Sequence, residues 1–111
     1  MSRIIRVLLI PVDGPVRFED VPAGLAPMQK LVEGDIEAIG YREGGTAYGH
    51  DEGKFVHEPN LLGHLFLVAN FNHNDSDPIY GPIVVLGLDG EGDDISIPED
   101  LTAAAAEMFG L

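Results

Sequence analysis

Pro82–Leu88 reads PIVVLGL, seven residues without a polar side chain, bounded by Gly81 on one side and Asp89-Gly90 on the other. The run is too short for a typical helix, rich in β-branched residues and apolar in both alternating registers. It predicts a strand buried on both faces, and therefore one in the middle of a sheet. Such a strand needs neighbours on both edges and cover on both faces.

Arg3–Val12 predicts a second buried strand. Its opening, MSRIIRVLLIPVDG, superficially resembles a signal peptide, but Val7–Ile10 is too short for the apolar region and Pro11–Gly14 is a turn. A short strand over Val16–Glu19 follows that turn. Leu25, Met28, Leu31 and Val32 recur at helical spacing, with Pro27 in the first turn and Gly34 as the stop. Ile36–Tyr41 and Thr46–His50 predict strands around Gly44-Gly45, and Asp51–Lys54 a hairpin-like tip before Phe55-Val56-His57. Pro59 opens a short helix carrying Leu61, Leu62, Leu65 and Phe66 on one side, weakened by Gly63. Ala69–Pro78 reads as an exposed polar loop. Ser96 and Glu99 fit a capping box for a last helix with Leu101, Ala104, Ala105 and Met108 inward. The expectation is a single α+β domain over residues 1–111, a mostly antiparallel sheet with two or three short helices covering one face.

Charge narrows the function. The chain has formal net charge −13, and residues 55–111 hold ten Asp and Glu with no Lys or Arg. Such a half repels nucleic acid and anionic membrane and attracts cationic surfaces. No run approaches the ~18 apolar residues of a membrane span. Without Cys there is no disulfide, thiolate metal site or Cys nucleophile. The protein is expected to be soluble and cytoplasmic.

Several segments, in this order, resemble a family of small domains of unknown function (family 3846) common in actinobacteria and their phages. They are VLLIPVDG, MQKLVEGDIEAI, the tip DEGK with Pro59-Asn60, Asp77–Gly81 leading into IVVLG, and the acids before SIPEDL. The resemblance covers most of the chain. Family members often carry a second Gly where this chain has Glu33, an aromatic where it has Asp35 and Asn where it has His50. The resemblance implies a fold and a phage or actinobacterial setting, and no catalytic residues.

The candidates for chemistry are few. Asn70, Asn72, His73, Asn74, Asp75 and Asp77 alternate oxygen donors that could take a hard divalent cation, with His73 as an acid or base; such residues also dominate ordinary loops. Asp89, Glu91, Asp93 and Asp100 mimic calcium-loop positions, but Asp94 stands where the turn needs Gly, so a solvated acidic turn is the better account. His50, His57, His64 and His73 match no zinc spacing, although His50 and His57 are expected to approach across a hairpin. Ser2, Ser76 and Ser96 lie in no nucleophile elbow, and no glycine motif cradles a phosphate.

The function expected on these grounds is a non-catalytic, acidic accessory protein that binds a host protein through that protein's basic surface, in its sharpest form imitating DNA. The expected interaction residues are Phe71, Tyr80 and Phe109 as exposed anchors, with Asp75, Asp77, Asp93 and Asp94 as rim charges. No cofactor is expected. The alternative reading is a small metal-dependent enzyme or divalent-cation-binding protein using the 70–77 loop. A third is a homodimer through an uncovered edge strand, Val16–Glu19 or Thr46–His50.

Overall fold

Strand β5 (Ile83–Leu88) occupies the centre of an antiparallel sheet in the computed structural model, which describes residues 3–111. Around it stand β1 (Ile4–Ile10), β2 (Arg17–Pro22), β3 (Ile36–Arg42) and β4 (Gly45–His50) in the order β2-β1-β5-β4-β3, and the two-residue β6 (Asp94–Ile95) also pairs with β5. The helices are α1 (Leu25–Val32), the one-turn α2 (Gly53–Val56), α3 (Leu61–Phe71) and α4 (Glu99–Phe109). This is the α+β fold anticipated from the sequence.

The period of two along β5 builds two cores. Ile83 and Val85 join Leu8, Ile10, Phe66 and Leu101 on the side of α3 and α4, while Val84 and Leu86 join Ile5, Val7, Met28 and Val32 on the side of α1. Helices therefore cover both faces, where one covered face was expected. A central strand apolar in both registers requires this arrangement.

Four local expectations change. Thr46–His50 is not an edge: β4 pairs with β3 on one side and β5 on the other, which leaves β2 and β3 as the outer strands of the main order. Residues 53–56 form a helical turn in place of a hairpin arm, because Gly53 packs so closely on Tyr80 that an added Cβ would lie 2.5 Å from the Tyr80 carbonyl oxygen. Helix α3 runs on to Phe71, so the polar loop begins only at Asn72, whose left-handed backbone (φ 54°) ends the helix. Ser96 makes no cap; its Oγ accepts from the Arg6 N–H at 2.9 Å, and Pro98 stands at the head of α4 with Glu99 and Asp100 in the first turn. Those two carboxylates suit the positive end of the helix dipole.

Helix α1 ends at Glu33 in the left-handed region (φ 66°), where glycine is at home.

Candidate functional site

Helix α3 is LLGHLFLVANF, with only His64 and Asn70 polar. Asn60 starts it. Its side chain, buried, accepts from the Gly63 N–H and donates through Nδ2 to the Ile10 and Gly81 carbonyls, each at 2.9 Å. All its polar atoms are satisfied, which ties the helix start to the end of β1 and the start of β5. Gly63 then decides which side faces the sheet: a Cβ there would lie 2.2 Å from Ile83 Cδ1. The helix settles on its glycine, and Phe66, Leu67 and Phe71 turn inward with it.

This rotation separates residues that the sequence reading had placed on one side. Phe66 is core, whereas Leu61, Leu62 and Leu65 remain 67%, 46% and 44% exposed. Spaced i, i+1 and i+4, they form one outward strip. The preceding α2 exposes Phe55, at 76% the most exposed large apolar residue among those described, and Val56 at 59%. A helix apolar on both sides is the mark of one covered on both sides. Carboxylates are frequent around these helices in the sequence, Asp51 and Glu52 before α2 and Glu58 between α2 and α3, and Asp75 reaches back to His64 on α3.

A cleft of about 620 Å³ lies between β3–β4, α2 and the 73–80 segment. Phe55 is one of its lining residues. The cleft brings Glu37, Asp51 and Asp77 together with one cation, Lys54, whose Nζ stands 5.1 Å from the Phe55 ring centroid; Tyr80 supplies a second ring. Segments distant in sequence meet here. Pro59 bridges to Tyr80, the Asn60 N–H donates to the Ile79 carbonyl at 2.8 Å, and the Gly81 N–H to the Glu58 carbonyl at 3.0 Å.

The four histidines form two edge-to-face pairs: His50–His57 at 4.9 Å between ring centroids and His64–His73 at 5.6 Å. The first pair arises through the α2 turn, not across a hairpin. Three of these rings have one nitrogen engaged in a hydrogen bond. His50 Nδ1 accepts from the Glu52 N–H at 3.0 Å, His73 Nε2 donates to the Asp77 carbonyl at 2.7 Å, and His64 Nε2 donates to Asp75 Oδ1 at 3.2 Å, leaving its buried Nδ1 without a partner. The 70–77 residues do not converge. Asn70 donates to the Phe66 carbonyl and Asn74 accepts from the Ser76 N–H. Asp75 and Asp77 each stand beside a different histidine. Among the described residues no three His, Asp or Glu side chains gather closely enough to hold a metal ion.

The residues expected as anchors and rim fall in different places. Phe71 is 8% exposed and packs in the core, so it offers no anchor. Phe109 is half-buried and stacked on Phe66, with centroids 5.7 Å apart, and Tyr80 is half-buried in the cleft wall. Asp75 and Asp77 are exposed beside α3 and the cleft, as a rim would be. Asp93 is exposed in the 89–94 turn at the far end of β5. Asp94 accepts from the Tyr48 hydroxyl at 2.8 Å, and burial together with that carboxylate pushes the phenol up to about 12. Asp89 Oδ1 accepts from the Asp93 and Glu91 N–H groups, both at 2.9 Å, which hold its carboxyl below the usual range. The turn is built on its own backbone, as a solvated acidic turn should be.

The sequence reading missed Phe55, Val56, Leu61, Leu62 and Leu65 as surface residues. The available sign was the lack of any charged residue in α3, which left no side of it suited to water.

No helix among the described residues is long and apolar enough to cross a membrane. No curated protein and no solved structure matches the chain. A family model, domain of unknown function DUF3846, matches residues 5–110, and the chain belongs to that family.

Proposed function

We propose that this DUF3846 protein is a non-catalytic binding protein that docks on the basic surface of another protein. The observation that carries the reading is the outward strip of α3, Leu61, Leu62 and Leu65, apolar on an otherwise acidic chain, with Asp75 held beside His64 on the same helix. Charge supplies encounter and selects basic partners, but affinity comes from an apolar centre that excludes water. The strip provides such a centre, and it replaces the aromatic anchors expected from sequence. In the phage or actinobacterial setting that the sequence resembles, the partner would be a host protein of the cytoplasm. A nucleic-acid-binding face is the most basic surface such a protein offers, so the chain would compete with DNA for it.

The test is capture from an actinobacterial lysate on the immobilised protein at about 50 and about 500 mM salt, either side of strong screening. The expected result is a discrete partner held at low salt and weakened, but not abolished, at high salt. Retention of nothing at low salt would remove the reading. Retention of many basic proteins, all released together at high salt, would reduce it to unspecific ion exchange.

A further inference from the structure

The turn that leaves β1 for β2 places Asp13 directly before Gly14, both exposed. We infer that Asp13 is a site of spontaneous modification, which converts to a β-linked isoaspartate while the protein stays folded. The Gly14 amide nitrogen attacks the Asp13 side-chain carboxyl carbon. A nitrogen–carbon bond forms, and the amide proton leaves with the carboxyl hydroxyl as water. Water then opens the resulting cyclic imide at either carbonyl, which restores aspartate or routes the main chain through the side-chain carbon. One water is released and one taken up, so no other reactant is needed.

The reaction requires a carboxyl group free to turn and a following residue too small to crowd the attacking nitrogen. Asp precedes Gly or Ser at three places, Asp13-Gly14, Asp75-Ser76 and Asp89-Gly90, and no Asn precedes either. The structure separates the three. Asp89 Oδ1 accepts from the Asp93 and Glu91 N–H groups, both at 2.9 Å, so its carboxyl reaches Gly90 only by giving up two hydrogen bonds. Those bonds also hold it ionised below the usual range, whereas the protonated carboxyl is the form that sheds its hydroxyl. At the second place the attacking group is engaged: the Ser76 N–H donates to Asn74 Oδ1 at 2.9 Å, and Asp75 is tied to His64. Asp13 has no such restraint. Among the described residues nothing donates to its carboxylate, and the Gly14 N–H donates to nothing. Arg17, the cation nearest in sequence, is engaged with Glu19 and the Pro15 carbonyl. A Cβ built on Gly14 would meet nothing within 4 Å, so the imide has room to form. The sheet need not move, because the β1–β2 pairing ends at Leu9 and Arg17. The product moves one carboxylate from side chain to main chain at the groove that Asp13 lines with Arg17 and Lys30.

The experiment ages the full chain in mildly acidic buffer, folded and, in parallel, unfolded in guanidinium chloride. Isoaspartate is then located by mass spectrometry with fragmentation that distinguishes the β-linkage. In the folded protein Asp13 is expected to convert at least about tenfold faster than Asp89, the factor that one hydrogen bond to a charged group supplies. Asp75 should stay as low as Asp89. In the unfolded chain Asp13 and Asp89 should convert at similar rates, because each is then an unrestrained Asp-Gly pair. Asp13→Glu, which can close only a larger and less favourable ring, should remove the signal at that position and leave the others unchanged. Equal conversion of Asp13 and Asp89 in the folded protein, or conversion of Asp75 or Asp89 ahead of Asp13, would overturn the proposal. So would conversion of Asp13 confined to the unfolded sample, since the turn would then hold its carboxyl away from Gly14.

Discussion

Helices α3 and α4 lie on the same side of the sheet and meet the same core, yet they face water in opposite ways. Inward they are equivalent: Phe66, Leu67 and Phe71 from one, Leu101 and Ala105 from the other, all buried. Outward, α4 shows Asp100, Ala103 and Glu107 with Met108 as its one large exposed apolar side chain, whereas α3 shows Leu61, Leu62 and Leu65. Helix α4 is an ordinary amphipathic helix. Helix α3 is apolar beyond what its core requires. Folding explains one side of each helix, and on α3 something besides folding must explain the other.

The comparison breaks first on the inward sides, where the largest effects are expected. Phe66→Ala and Leu101→Ala should each cost about 3–5 kcal/mol in urea unfolding, the loss typical of a large side chain removed from a packed core. A much smaller loss at Phe66 would mean that α3 does not hold the core as described. Gly63→Ala is a sharper probe, since helix propensity alone would favour alanine by about 1 kcal/mol. The added methyl meets Ile83 and Asn60, so a net loss of about 1–3 kcal/mol is expected. A gain in stability would show that the glycine does not set the rotation of α3.

The carboxylates divide as the helix faces do, into those that build structure and those left to solvent. Asp94 builds, through Tyr48. The Tyr48 phenol has a folded pKa of about 12, raised from an ordinary 10, so the folded state binds the proton more tightly. Its contribution is complete below about pH 10 and is lost as pH climbs from there through about 12. Tyr48→Phe should lower stability at neutral pH by roughly 1 kcal/mol and flatten the alkaline decline, both read from unfolding curves at several pH values. An unchanged alkaline slope would place the titrating group elsewhere. The smallest effect belongs to the outward strip: Leu61→Glu should shift stability by no more than about 0.5 kcal/mol, the usual range for a solvent-facing site. A loss of several kcal/mol would make that leucine core and erase the contrast between the two helices.

The central strand was legible because PIVVLGL is long enough and apolar in both registers, and β1 for similar reasons. Strand β4 was misplaced at an edge because its buried residues, Gly45, Thr46, Ala47 and Gly49, are small or polar and leave little hydrophobic trace in the sequence. The turn chemistry of Asp51–Lys54 was read correctly as a change of direction but not as a helical turn, since the cause is tertiary: the Tyr80 carbonyl pressed against Gly53. Phe71 was assigned to a loop by its asparagine neighbours, although Asn72 is the residue that ends the helix. The acidity of the surface could be read directly from composition. The apolar strip could not, because an uncharged helix does not announce which side will meet the sheet. Gly63 makes that choice by contact with Ile83, a residue twenty positions away.

If the outward side of α3 recognises a partner, the double change Leu61→Glu with Leu65→Glu reveals it by sign. The two changes add negative charge while removing the apolar centre, so attraction by charge alone and anchored docking move in opposite directions. The measurement is the amount of partner retained from lysate at low salt by the double variant relative to the unaltered protein, both shown to be folded. Loss of the partner is expected; retention that is equal or increased would rule out docking through α3.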